Sequence, residues 1–92
     1  MFGIAICLEG LGGIALEIGQ PERALRLLAA VEALCEAIGA PLMPAERAQY
    51  ERDRVAARDL LGEAPSDAVW AQGRAMSTSR AVAYALETPE AS

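Results

Sequence analysis

The sequence predicts an all-α fold of about five helices. Three observations carry that reading: a composition of strong helix formers, Gly and Pro punctuation that divides the chain, and apolar residues at helical spacing. Ala alone supplies 20 of the 92 residues, and aromatic residues make up only 4%. Ala, Leu, Arg and Glu give up little conformational freedom in a helix, so such a mixture favours helix almost everywhere. A chain of 92 residues has surface enough for one core and not two, so residues 1–92 are read as a single domain. With so much Ala, that core is thin-walled and its helices closely spaced.

The first helix is expected over roughly 2–18, with Gly19 as the left-handed residue that ends it and Pro21 opening the next. The second, over 21–38, places Glu22 in its first turn and repeats apolar residues at Ala24, Leu27, Leu28, Val31, Leu34, Cys35 and Ile38. Arg23, Arg26, Glu32 and Glu36 take much of its other side. Gly39 to Pro44 reads as a linker, since two prolines resist continued helix. A third, charged helix is expected over 44–62, with Ala48, Val55 and Leu61 among its few apolar anchors and one side in water. Two short terminal helices over 66–88 complete the chain. Ser66 is the expected N-cap of the first and Gly73 weakens its end; Ser77 is the expected N-cap of the second and Pro89 closes it.

Within this plan, residues 5–38 span one 34-residue helix-turn-helix, the period of a tetratricopeptide repeat. Leu8, the pair Leu11-Gly12, Gly19, Ala24, Leu28 and Val31 fall at that family's large and small positions, and the hairpin resembles it. Ala15 departs from the usual aromatic and Glu36 from the usual Pro. The physical content of the pattern is close packing: Gly12 and Ala24 let two backbones approach while Leu8, Leu11 and Leu28 fill the flanks. Residues 44–86 do not repeat it, and their charged helix suits a capping role at the end of an array.

A wider resemblance spans nearly the whole chain. The run from Gln20 to Ala30, then Pro44-Ala45-Glu46-Arg47, Trp70 to Ser77 and Ala81 to Leu86 look like the C-terminal region of large bacterial regulators. Those proteins join a signal-transduction ATPase or cyclase domain and a DNA-binding domain, often LuxR-type, to helical repeats. The resemblance implies a scaffold that associates with proteins or senses a ligand in the cytoplasm. A start inside an apolar helix without an N-cap is read as the mark of a fragment. No phosphate-binding loop ending in Lys-Ser/Thr and no basic recognition helix is present to carry over.

Charge and chemistry narrow the expectation further. A net charge of −5 and a pI near 4.6 argue against direct nucleic-acid contact, where a basic surface supplies most of the affinity. The apolar run over 2–18 is interrupted by Glu9 and Glu17 and falls short of a membrane span, so no membrane partner is expected. Cys7 and Cys35, without any His, make neither a disulfide framework nor a four-ligand zinc site, and both are read as small buried residues. Glu46, Glu51, Asp53 and Asp59 alternate with Arg47, Arg52, Arg54 and Arg58 and read as a solvated face. Ser66, Ser77 and Ser79 lack a His to activate them. Trp70 is read as a plug between the terminal helices and the hairpin. No catalytic, cofactor or metal site is expected, and the chain is not expected to be an enzyme.

The first helix carries the candidate interface. At 100° per residue, Leu8, Leu11, Gly12 and Ala15 face the second helix, while Phe2, Ile6, Gly10, Gly13 and Ile14 lie broadly opposite. Burying Phe2, Ile6 and Ile14 contributes roughly 1.5–3 kcal/mol each. That outer face is therefore expected to take a protein: a second copy in a homodimer, or preceding repeats of a parent chain.

Overall fold

A computed structural model describes residues 2–39 and 44–86, with the side chains of 2–5 outside that description. The described part of the chain is five helices and no strand: α1 (Phe2–Glu17), α2 (Pro21–Ile38), α3 (Pro44–Leu61), α4 (Glu63–Ala75) and α5 (Thr78–Leu86). Residues 40–43 of the expected linker, and Pro89, lie outside the described residues.

Glycines set the boundaries of the first three helices. Gly19 takes φ +83°, and the turn is closed by two bonds, Gln20 N–H to the Ala15 carbonyl at 2.9 Å and Gly19 N–H to the Leu16 carbonyl at 3.1 Å. This is the Schellman pattern, and it reverses the chain within three residues before Pro21 starts α2. Gly39 ends α2 with φ +68° and Gly62 ends α3 with φ +89°.

α2 is the axis of the molecule, and every other helix packs on it. Ala24, Leu25, Leu27, Leu28, Ala29, Ala30, Val31 and Leu34 are all buried along it. Small residues permit the crowding. A Cβ added at Gly12 of α1 would stand 3.2 Å from Leu28 Cδ2, so that glycine marks the closest approach of α1 and α2, as the sequence spacing predicts.

The structure corrects the expectation for α4. The helix begins at Glu63, not after Ser66, because Gly62 serves as its N-cap and Pro65 sits in the first turn, where its missing N–H is not needed. Ser66 is fully buried inside α4, its hydroxyl donating to the Arg58 carbonyl at 3.4 Å. Gly73 does not weaken the end of the helix; it is where α4 meets α2. A Cβ there would collide with the Arg26 carbonyl oxygen and stand 2.6 Å from Ala29 Cβ. Ser77 does cap α5, accepting the Arg80 N–H at 3.1 Å.

The charged helix α3 also differs. Ala48 and Val55 are exposed, Val55 by 55%. The buried strip is instead Tyr50, Asp53 and Ala57, spaced three and four apart. The polar side of α2, where Glu22 and Glu36 stay exposed, is tied to the neighbouring helices. Arg26 Nε donates to Gln72 Oε1 at 2.9 Å, Arg23 Nη2 donates to the Tyr84 carbonyl at 2.7 Å, and Tyr50 Oη donates to Glu32 Oε2 at 2.8 Å. Arg74 bridges Glu32 and Glu36 from α4, at 3.3 and 2.8 Å. Trp70 packs against both halves of the core and carries Arg54 over its ring at 4.5 Å, which fits the role of a plug.

Gly73→Ala therefore reverses the usual benefit of removing a helical glycine. It is expected to cost about 1–3 kcal/mol by overpacking. Gly10→Ala, where a Cβ meets nothing within 4 Å, is expected to gain up to about 1 kcal/mol. Urea unfolding of the two variants beside the parent chain gives both signs.

Candidate functional site

The candidate site lies where α1 meets α3. Tyr50 and Ala57 anchor α3 to the core, being 2% and 0% exposed. Helical register then carries Asp53, between them, inward as well. On the facing side Glu9 stands next to buried Leu8, and both carboxylates are only 7% exposed. The backbone of α1 gives way to them at Gly13, where a Cβ would lie 3.0 Å from Asp53 Oδ2.

One oxygen of Asp53 is satisfied: Gln49 Nε2 donates to Oδ1 at 2.9 Å, and Arg52 Nη2 holds Gln49 Oε1 at 2.8 Å. Asp53 Oδ2 and Glu9 Oε1 are buried without a hydrogen-bond partner. Burial raises the pKa of Glu9 above its ordinary value, and the charges of Asp53 and Glu46 push it further in the same direction. Over these groups opens a cleft of ≈ 290 Å³ lined by Glu9, Gly10, Gly13, Ile14, Leu16, Glu17, Gln49 and Asp53.

The candidate interface residues divide around this cleft. Gly10 is exposed and Ile14 is 54% exposed, whereas Ile6 and Gly13 are half-buried. The side chain of Phe2 lies outside the described residues. α3 covers the Gly13 side of α1, so the open arc is centred on Cys7, Gly10, Ile14 and Ile18. Cys7 is thus exposed, against the expectation that both cysteines are buried; Cys35 is half-buried, its thiol pKa raised by burial, and both are free.

Sequence reading passed over Glu9 and set Asp53 on the solvated face. The signal was present in both: a carboxylate in the middle of an apolar helix, next to Leu8 on its inner face, and an acid in register with Tyr50 and Ala57. On that solvated face Arg47 and Glu51 form a surface pair at 3.2 Å. The wider α3 face also behaves as a solvated row, with Arg47 and Arg52 exposed. Tyr50 behaves differently: burial, then the bond to Glu32, pushes its hydroxyl well above the ordinary phenol range. Among the described residues no group of three or more metal-ligating side chains converges, and no helix is long and apolar enough to cross a membrane.

An HTH-type transcriptional regulator of Mycobacterium bovis is 35% identical to this chain over 83 residues. HTH-type transcriptional regulators from two strains of Mycobacterium tuberculosis match to the same extent. The match covers 90% of this chain, and the chain spans 9% of the length of these curated relatives. No family profile matches the chain, and no solved structure matches it. The similarity is to transcriptional regulators, without a tetratricopeptide or LuxR assignment.

These relatives overturn the expectation of no direct nucleic-acid partner, since HTH-type transcriptional regulators are a class that acts on DNA. The charge argument failed for a physical reason. A net charge of −5 belongs to 92 residues, and a stretch equal to 9% of a regulator does not set the electrostatics of the whole.

The raised pKa of Glu9 has a sign for stability. Below its ordinary value of 4.5 the carboxyl is protonated in both the folded and unfolded states. Between that value and the raised one, the folded state holds more protons, so its contribution to stability falls as pH rises. Glu9→Gln is expected to flatten this part of the profile and to be more stable than the parent at neutral pH. Urea midpoints measured across that range compare the two chains, and a less stable variant at neutral pH would contradict the assignment.

Proposed function

We propose that the chain is a non-catalytic helical interaction module within a bacterial transcriptional regulator that acts on DNA, and that it works in the cytoplasm. The observation that carries this reading is the open apolar arc of α1. Ile14 and Ile18 are 54% and 55% exposed on a helix whose opposite side, at Leu8 and Ala15, is buried against α2. Similarity to regulators that are many times longer supports a role as one part of a larger machine. The finer assignment follows the sequence resemblance. The α1–α2 hairpin acts as a tetratricopeptide-like unit, with α3 to α5 as its cap, in a regulator of LuxR-type or signal-transduction ATPase or cyclase architecture.

Of the residues expected at the interface, Gly10 and Ile14 on the open arc, with half-buried Ile6 beside them, pair with a second copy of the chain or with neighbouring repeats of a longer one. An apolar helix that is covered on one side only gains by burying the other. The absence of any His from the sequence, and the use of Ser66 and Ser77 as structural donors and acceptors, support a non-catalytic role. A second reading, a region that senses a small ligand, is favoured by the cleft between α1 and α3.

Light scattering at micromolar concentration tests the leading reading. The 92-residue chain is expected to run as a dimer and Ile14→Glu as a folded monomer. A parent chain that is monomeric at every concentration, or an Ile14→Glu variant that still dimerises, overturns the α1 interface.

A further inference from the structure

We propose that the cleft between α1 and α3 binds a guanidinium group, with Glu9 and Asp53 as its paired acceptors. The proposal deepens the ligand-sensing reading and does not depend on α1 pairing with a copy. Two carboxylates, each only 7% exposed, line one cleft, and each leaves one oxygen without a hydrogen-bond partner. Leaving a buried acceptor unpaired is costly, and leaving two of the same charge side by side is more so. A cation removes both costs at once.

Among cations, the guanidinium fits best. It presents several N–H donors in one plane, so a single group can reach acceptors on two helices, and it is more weakly hydrated than an ammonium. The walls suit what would follow it. Ile14 and Leu16 offer apolar surface to a methylene stem, and Glu17 adds a further negative charge at the cleft. Gly10, where a Cβ would meet nothing within 4 Å, leaves the α1 backbone open to a flat group, and Gly13 makes room for the Asp53 carboxylate itself. At ≈ 290 Å³ the cleft is at the small end for ligand sites, which fits one side chain or a small molecule rather than a cofactor. The unpaired oxygens are buried, and the broad terminal torsions of Asp and Glu let either carboxyl turn to meet the guest.

The guanidinium has two sources, an arginine side chain of a protein or a free small molecule, and two probes separate them. N-acetyl-arginine methylamide stands for the first and agmatine for the second, with N-acetyl-norleucine methylamide as the uncharged control. Each is titrated into the isotope-labelled chain while amide and carboxyl resonances are followed. Saturable shifts are expected at Gly10, Gly13, Gln49 and the Glu9 carboxyl with at least one guanidinium probe and none with the control. Tighter binding of the arginine probe indicates a protein side chain, and tighter binding of agmatine a free ligand.

The double variant Glu9→Gln, Asp53→Asn is expected to weaken binding by about 30-fold or more. Gly13→Ala keeps both charges but narrows the space beside Asp53 Oδ2, and is expected to weaken binding while leaving the fold intact. Scattering mass recorded on the same samples keeps dimerisation separate from binding. The site is disproved if neither guanidinium probe gives a saturable shift, or if the shifts survive unchanged in the double variant or in Gly13→Ala.

Discussion

The close approach of helix backbones around α2 is the constraint on which the rest depends. Helices pack with axes 8–10 Å apart according to the side chains between them, and the short end of that range requires Gly or Ala at the crossing. Gly12 supplies it against Leu28, and Gly73 supplies it against Arg26 and Ala29. With both crossings tight, α2 can be enclosed by the other four helices. A 92-residue chain built largely of Ala has few bulky side chains, so it gains its packing density by bringing backbones together. The radius of gyration, 11.9 Å, is close to the roughly 12 Å expected for a chain of this length.

The same enclosure decides what becomes of the charges on α2. Arg23, Arg26, Glu32 and Glu36 cannot all face water once α4 and α5 lie beside them, so each takes part in a seam. Tyr50, Glu32, Arg74 and Glu36 form one network joining α3, α2 and α4. Arg74 holds Glu36 below the usual carboxylate range through their hydrogen bonds. Exposed pairs of this kind add little stability, and they help to fix which helix sits where. The carboxylates between α1 and α3 follow the opposite logic: among the described residues, Glu9 Oε1 and Asp53 Oδ2 are enclosed without a hydrogen-bond partner.

Helix boundaries were largely legible in the sequence because Gly and Pro act locally. Gly19 takes the left-handed conformation expected of it, and Gly39 and Gly62, at the next two breaks, take it as well. What escaped was set by tertiary contact. Gly73 read as a weak helix end because nothing in the local sequence reports that Arg26 lies 47 residues earlier in the chain but directly beneath it. Asp53 read as surface because α3 is charged throughout, and only the anchoring of Tyr50 and Ala57 reveals which face turns inward. The start of α4 misled in a related way. Ser66 read as its N-cap, although the first turn of a helix tolerates Pro65, and Gly62 had already supplied the break. The cleft itself was out of reach, since it is formed by residues about 40 positions apart that share no motif.

The way α5 is attached gives the molecule an internal order of stability. Its apolar anchors are small, Ala81 and Ala85, and much of its remaining hold is polar: Arg23 bonded to the carbonyls of Tyr84 and Ala85 and stacked on the Tyr84 ring at 4.8 Å, and Arg26 bonded to the Tyr84 hydroxyl. Nine residues anchored in this way detach at a fraction of the cost of the whole fold, while the amides of α2 are released only when every helix around them has gone. Native-state breathing in this chain is thus graded from the C-terminal end inward. Each opening of α5 uncovers part of the core cluster that Ala81 and Ala85 share with Leu8 of α1 and with the apolar face of α2.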